Sequence, residues 1–472
     1  MTPYFHPYFS RKAILAYSIG LLGVTVVFSK LAMPWYWILL GIVTVCLFFS
    51  LSSRWSQRWN MRPKSFERRL FLVTVLVRLL WIVIYYGITT SLWDTPWEQP
   101  IGTSMDSGGY YDEALWIIEL LHSNSLQQYI TYIQNGSVSD AGYPVFLSLI
   151  CLLTNNSIFC TRIPNAFFDA WTVVLIYRLA RRSFGEPTAR MAALFTLLMP
   201  TSFFFAGTTM KESIMVMLVT WAIERSDMLL RQTRFSVKML LEALLLIGLL
   251  AFFRTVLMWV CGLSLLCGVL LTSKRIIGRG RKFFIGLVVV ASAVLVAGGV
   301  IIQQYEELME SNQMSENNFE YRANRKGGNA LAANLGKAVF APIIFAVPFP
   351  TMVGIEYQQV QQIQNGGNYV KNVMSFFCIM ALILLLVSKE WKTSVTPIAF
   401  LMGYLVVLAF SSFAQSARFH MPAIPFEMMF AAYGVAHFTK PKYQVYFDWF
   451  MLFEFVVIIG WNWFKLKGRG MI

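Results

Sequence analysis

Long apolar runs separated by short polar loops dominate this chain. Spanning a bilayer takes about 20 consecutive apolar residues. The runs predict membrane helices at about 13–29, 33–53, 70–93, 160–180, 188–206, 212–228, 238–253, 255–272, 283–303, 370–388, 395–414, 421–438 and 446–464. The expected fold is an all-α polytopic membrane protein with about 13 transmembrane helices. Two stretches fit less well. Tyr143–Leu153 is too short to span and reads as a helix lying in, or dipping into, the outer interface. Leu335–Met352 holds Pro342, Pro348 and Pro350. Prolines remove backbone donors and bend helices, so a re-entrant or surface helix fits there as well as a span.

Charge gives the runs a direction. The loops 52–69, 178–190, 225–238, 273–282 and 389–392 are basic and fall on one side of this count. The cluster Arg54, Arg58, Arg62, Lys64, Arg68 and Arg69 is the densest. Cytoplasmic loops carry the Lys/Arg excess, so this side and the N-terminus are expected inside. From Asp94 to Ala141 there are seven acidic residues and no Lys or Arg, and that stretch is expected outside. Lys465, Lys467 and Arg469 do not fit, because they would end outside. The expected organisation is N-terminal helices over 1–93 and a first outer loop with interfacial helices over 94–159. A transmembrane core over 160–303 follows. Next come a second large outer loop over 304–369, a lid or re-entrant segment, and C-terminal helices over 370–472. Gly327-Gly328 and Gly366-Gly367 in that second loop read as mobile turns.

Composition agrees. The chain is 57% apolar and 16% aromatic. Its 13% of charged residues is about half the soluble average. The net charge of +15 lies mostly in short loops, so it reports orientation and contact with anionic membrane lipids; no nucleic-acid partner is expected. Six cysteines and four histidines are scattered, with no CxxC pair and no metal-ligand spacing. Arg11 and Lys12 precede an apolar run with no small-residue cleavage site, which reads as an uncleaved first helix.

Candidate chemistry concentrates on the outer side. In Ser104-Met105-Asp106-Ser107-Gly108-Gly109-Tyr110-Tyr111 the glycines permit a tight turn after Asp106. From Tyr110 to Leu121 the apolar positions become helical, as in an amphipathic helix along the membrane surface. Asp140 either caps the helix that follows Gly142 or belongs to a catalytic or metal site. Lys211 and Glu212 either form an ion pair at a helix end or face the outer loop as a phosphate-binding ammonium and a carboxylate. Arg162 (with Asp169 two turns on), Arg254 and Arg418 either snorkel to the interface or bind phosphate, which guanidinium suits.

The order of these pieces carries a resemblance: MDSGGYYDEA, GYPVFLSLI, TRIPNAFFDAWTVVLIYRLARRSFGEPTARMAALFTLLMPT, TTMKE and ARFHMPAIPFEMMFAAYG. It resembles the GT-C superfamily of membrane glycosyltransferases, near the family 39 and ArnT-like members. The resemblance covers most of Ser104–Leu230 and returns at about 415–435. It implies a GT-C-like helix bundle and an enzyme, a hexosyl- or pentosyltransferase. Such an enzyme moves a sugar from a polyprenyl-phosphate carrier to a lipid, glycan or protein acceptor at the outer face. A bacterial inner membrane is the expected location. The resemblance implies that Asp106 is the essential acid and that Arg418 contacts phosphate. Family 39 members commonly have Asp where Glu212 stands, so Lys211-Glu212 is a departure. Some members need a divalent metal, so Mg or Mn at Asp106 and Glu212 is a candidate cofactor. The full expected site is Asp106 and Glu212 for catalysis, with Lys211, Arg418, Arg254, Arg162, Tyr110, Tyr111, Asp140 and His420 for carrier and sugar. Chemistry agrees: a base must take the acceptor's proton, cations must hold the departing phosphate, and one displacement inverts the anomeric carbon. Two other readings compete. An outer-face polymerase or ligase would use lipid-pyrophosphate glycans. A lipid or sugar transporter would draw on Glu242, Glu427 and Glu454 within apolar segments.

Overall fold

The computed structural model describes residues 4–58, 63–97, 106–135, 138–232, 236–271, 337–355, 362–411, 413–438 and 441–472. Among them the regular structure is helical. The elements are α1 (Pro7–Val27), α2 (Trp35–Arg58), α3 (Pro63–Trp93), α4 (Asp106–His122), α5 (Leu126–Asn135), α6 (Gly142–Thr154), α7 (Ile163–Phe184), α8 (Glu186–Leu198) and α9 (Pro200–Ala206). They continue with α10 (Glu212–Arg231), α11 (Val237–Leu249), α12 (Thr255–Leu271), α13 (Gln362–Val387), α14 (Val395–Ala409), α15 (Ala417–His420), α16 (Ile424–His437) and α17 (Pro441–Lys467).

The chain is an integral, multi-pass membrane protein. Among the described residues α1, α2, α3, α13 and α17 are long and apolar enough to cross a bilayer. The expected span 188–206 is broken: α8 and α9 meet at Met199-Pro200 with a bend of 49° and together could make a sixth crossing. Proline at the start of α9 has no N–H to extend α8, which explains the break. The expected spans 238–253, 255–272 and 395–414 form shorter helices, and 283–303 lies outside the described residues. The stretch expected as a re-entrant or spanning segment is neither a regular α-helix nor a span. Lys337–Ala346 winds as a 3-10 segment around Pro342, and the chain then runs irregularly to Ile355.

Helix α13 is the hub of the bundle, packing on α2, α9, α16 and α17. Its contact with α16 is close because Gly434 has no side chain: a Cβ there would lie 2.2 Å from the Phe377 carbonyl oxygen. The pair Gly366-Gly367 is not a mobile turn but the buried first turns of α13. A Cβ on Gly367 would lie 2.8 Å from the backbone nitrogen of Thr201, so Gly367 lets α9 approach, while Gly366 faces Thr44 of α2.

The ends of the bundle differ in chemistry. At one end Arg178 and Arg181 pair with Glu67, Arg182 pairs with Glu224 and Asp227, and Arg231 reaches Asp227 and the Thr393 carbonyl. These contacts gather four of the basic loops. Helix α10 ends there and begins at Glu212, so the two ends stand about 30 Å apart along its 20 residues. The other charges of α10, Glu224, Arg225, Asp227 and Arg231, all sit near this end. Deeper in the bundle Lys371 pairs with Glu427 at 3.2 Å and donates to the Phe345 and Val347 carbonyls. Glu242 lies within reach of Arg225, at 3.8 Å. Of the three acids that kept a transport reading open, these two therefore have partners.

Candidate active site

The site forms at the Glu212 end, where α4, the start of α10 and the short α15 converge. Helix α4 begins at Asp106 itself, four residues earlier than the sequence pattern suggests. Gly108 and Gly109 lie inside this first turn rather than in a tight turn after Asp106. An acidic residue at a helix N-terminus is favoured by the free N–H groups there. Asp106 thus stands at the tip of α4 with 57% of its side chain exposed.

Arg418 joins three chain segments. Its guanidinium donates to an Asp106 carboxylate oxygen through Nη1 and to Glu212 Oε1 through Nε. Its Nη2 donates to the Tyr110 hydroxyl at 3.0 Å. These partners are 312, 206 and 308 residues away in sequence. Burial works against the Arg418 charge. Glu212, Tyr110 and Asp106 more than offset it, holding its pKa above the ordinary guanidinium value. Glu212 is fully buried, and its second oxygen, Oε2, has no hydrogen-bond partner among the described residues.

A second charge group adjoins the first. Lys211 donates to the Phe253 carbonyl at 2.6 Å and pairs with Asp140. Asp140 is therefore not the cap of α6: that helix starts after Ala141 with no side-chain cap. A buried lysine needs an anion more than an exposed helix start needs a cap. Burial, then the neighbouring Arg254, pushes Lys211 down to about 7. The Tyr110 ring stands 6.0 Å from both Lys211 Nζ and the Arg418 guanidinium carbon, between the two groups. Burial pushes the Tyr110 hydroxyl pKa up, so it stays a neutral donor and acceptor. Arg254 stacks on Phe419 at 4.2 Å, with its Nη1 buried and without a hydrogen-bond partner among the described residues.

Three expected residues are not part of this group. Tyr111 points away from it, donating to the Asn156 carbonyl and packing at a tilt on the Trp97 ring. Neighbours on a helix lie about 100° apart, so Tyr110 and Tyr111 face different surroundings. Arg162 is buried against Thr209, the Pro96 carbonyl and the Tyr86 ring. Asp169, two turns on from Arg162, binds Arg78 at 2.8 Å. His420 is buried, with Nε2 against the Ala414 carbonyl, and burial holds it neutral. It shapes the α15 turn that carries Arg418.

Arg418 also borders a cavity of about 310 Å³, whose polar wall includes Asn365, Asn368, Thr351 and Lys465. Sequence patterning did not single out Asn365, Asn368 or Thr351. Lys465 carried a signal, since its basic end of α17 sat on the wrong side for a cytoplasmic loop. It donates to Thr351 Oγ1 at 2.5 Å and faces the cavity. Among the described residues no three His, Cys, Asp or Glu side chains come together as a metal site. Asp106 and Glu212 are bridged by Arg418, a cation already in the position a metal would take, so the pair fits a metal poorly.

No curated protein sequence matches the chain. The crystal structure of ArnT from Cupriavidus metallidurans bound to undecaprenyl phosphate is similar, at 14% identity and a TM-score of 0.46. The match covers 79% of this chain and 60% of that one, so this chain spans less than two thirds of its length. Residues 142–298, from α6 to beyond α12, match the family model described as dolichyl-phosphate-mannose-protein mannosyltransferase. The resemblance to GT-C glycosyltransferases drawn from the sequence is therefore met by a family model over that segment.

Proposed function

We propose that this chain is a membrane glycosyltransferase that moves a sugar from a polyprenyl-phosphate carrier to a lipid, glycan or protein acceptor. The observation that carries the reading is the convergence of Asp106, Glu212 and Tyr110 on Arg418 at the rim of a polar cavity. The family match over 142–298 supports it. The positive-inside rule assigns the Arg/Lys-rich end to the cytoplasm, so the site faces outward. A bacterial inner membrane suits this orientation.

The residues divide the work by burial. Glu212 is enclosed and fixes Arg418; Asp106 is exposed and can reach an acceptor. The acceptor hydroxyl attacks the anomeric carbon and its proton passes to an Asp106 oxygen. The bond from that carbon to the carrier phosphate breaks, and the electron pair leaves on the phosphate. Arg418 and Arg254, with its unpartnered Nη1, hold that phosphate as charge builds on it. Protonated Lys211 adds a third cation. A single displacement gives inversion. No step is assigned to a metal, because the two carboxylates already share Arg418.

The test is a transfer assay in proteoliposomes with a polyprenyl-phosphate sugar donor. Wild type should release polyprenyl phosphate in step with glycosylated acceptor, and Asp106→Asn should not. Retention of the donor's anomeric configuration in the product would sink the single-displacement mechanism.

A further inference from the structure

The turn between α9 and α10 leads into Lys211 and Glu212, and side chains that the transfer chemistry does not use hold it. The end of α9 and the residues after it present carbonyls that no helix satisfies. Asn165, in the first turn of α7 and 1% exposed, supplies donors to two of them. Its Nδ2 donates to the Thr208 carbonyl at 2.9 Å and to the Ala206 carbonyl at 3.4 Å, which uses both hydrogens of the amide. The residues just before α7 hold the next position. Thr209 Oγ1 meets Thr161 Oγ1 at 3.2 Å and accepts from Arg162 Nε at 3.4 Å. The Tyr85 ring of α3 also closes on this turn: a Cβ on Gly207 would lie 2.7 Å from it. Residues 206–209 are thus gripped by α3 and the start of α7, with Thr208 and Thr209 fully buried.

The gripped residues end one position short of Met210, and Lys211 and Glu212 come next. Both have fixed destinations. Lys211 donates to the Phe253 carbonyl and pairs with Asp140, and Glu212 accepts from Arg418. Functional groups have to be held to within about 0.5 Å, which a turn free of its neighbours does not do. Two buried carbonyls left without donors would also drive the turn to rearrange. We propose that Asn165 is a positioning residue of the transfer site: its amide sets where the α9–α10 turn stands, and through the turn it places Lys211, Glu212 and Arg418. The proposal rests on the transferase reading, and the two can fail separately.

The test uses the full chain in nanodiscs and follows binding of labelled polyprenyl phosphate as pH rises, beside donor turnover and the unfolding midpoint. Lys211 is the reporter. Burial, then Arg254, holds it down at about 7; Glu212, Arg418 and Asp106 also act on it, Asp140 pairs with it and the Tyr110 ring faces it. In wild type, carrier affinity should fall as pH passes that value. The carrier phosphate's own titration is common to all variants, so a difference between them belongs to the protein. Asn165→Leu keeps the bulk and removes both donors. It should lower turnover about tenfold, the scale of one or two hydrogen bonds. It should also move the fall in affinity up by about one pH unit, because a displaced Lys211 regains water. Thr209→Val, a milder change at the same turn, should move the fall the same way by less. Gly434→Ala strains the α13–α16 contact away from the turn and should lower the midpoint while leaving the fall in place. If Asn165→Leu and Thr209→Val lower turnover and midpoint but the fall stays at the wild-type pH, the positioning role is overturned and the transferase reading stands. If wild-type protein does not bind polyprenyl phosphate at all, both fall.

Discussion

Removing Arg418 should unfold the site before it tests the chemistry, and the loss can be separated from catalysis. In Arg418→Ala the fully buried Glu212 loses its only hydrogen-bond partner among the described residues, and its Oε2 already has none. Breaking a buried ion pair from one side costs about 3–5 kcal/mol, because the remaining charge stays desolvated. Asp106 loses its contact too, but at 57% exposure water replaces it at little cost. The loss therefore belongs to the Glu212 arm. Glu212→Gln alone should cost less, since Arg418 keeps Asp106 and Tyr110. The double variant Arg418→Ala/Glu212→Gln removes both charges and should recover most of the stability, giving a coupling of about 2–3 kcal/mol within the range for contacting residues. Activity should be lost in all three. The assay is the unfolding midpoint in a denaturing-detergent titration, followed by tryptophan fluorescence, beside donor turnover. The reasoning is refuted if the effects on stability are additive, or if the double variant regains turnover.

Four further outcomes follow from the geometry. Asp106→Asn should lower turnover about 10²–10⁴-fold, the usual worth of a general base, while carrier binding measured by competition is kept or tightened, since an amide competes less for Arg418. Tyr110→Phe removes the 3.0 Å contact to Arg418 and should lower turnover over KM about tenfold, read in a steady-state assay, with little effect on the unfolding midpoint. Lys211, held near 7 against an ordinary 10.5, should make carrier affinity fall as pH rises through about 7, and Lys211→Arg should abolish that limb. For stability the sign is opposite. The unfolded chain binds that proton more tightly, so the cost is full below about 7 and is relieved as pH rises toward 10.5, which a pH series of unfolding midpoints would detect. Gly434→Ala forces a methyl against the Phe377 carbonyl and should cost about 1–3 kcal/mol by the same titration.

Apolar runs made the helices legible, because a run's length alone says whether a helix can cross a bilayer. Most expected spans coincide with helices within a few residues. Facing was harder. Tyr110 and Tyr111 are adjacent and chemically alike, and only the packing of α4 on α6 decides which one meets Arg418. Asp140 looked like a cap because its near neighbours form a helix start, but its partner Lys211 is a distant residue. Asp169 and Arg162 share a helix face in sequence, yet Arg78 from α3 takes the carboxylate. The amides of α13 were hidden for another reason. Two glycines between Asn365 and Asn368 resembled a turn, and only the approach of α2 to Gly366 and of α9 to Gly367 shows why a helix needs glycine there.

The charge balance of the site bears on how it must work. Asp106, Asp140 and Glu212 face Arg418, Arg254 and protonated Lys211, three against three. A neutral cluster does not attract an anion strongly from a distance, so the carrier phosphate has to compete with a carboxylate for a guanidinium already in use. Glu212 cannot yield, since it is enclosed and would be left bare. Asp106 can, because water reaches it. On the proposed reading, phosphate arriving at Arg418 releases Asp106 from its ion pair and frees its carboxylate oxygens to take the acceptor's proton. Donor binding and activation of the base then become one event, so an acceptor alone meets an Asp106 still held by Arg418. Acceptor bound without carrier should accordingly show no transfer and no hydrolysis. The Asp106 carboxylate should take up a distinct infrared band only when polyprenyl phosphate is added. A band unchanged by carrier would mean that Asp106 and Arg418 stay paired through the reaction, and the base would have to be sought elsewhere in the cluster.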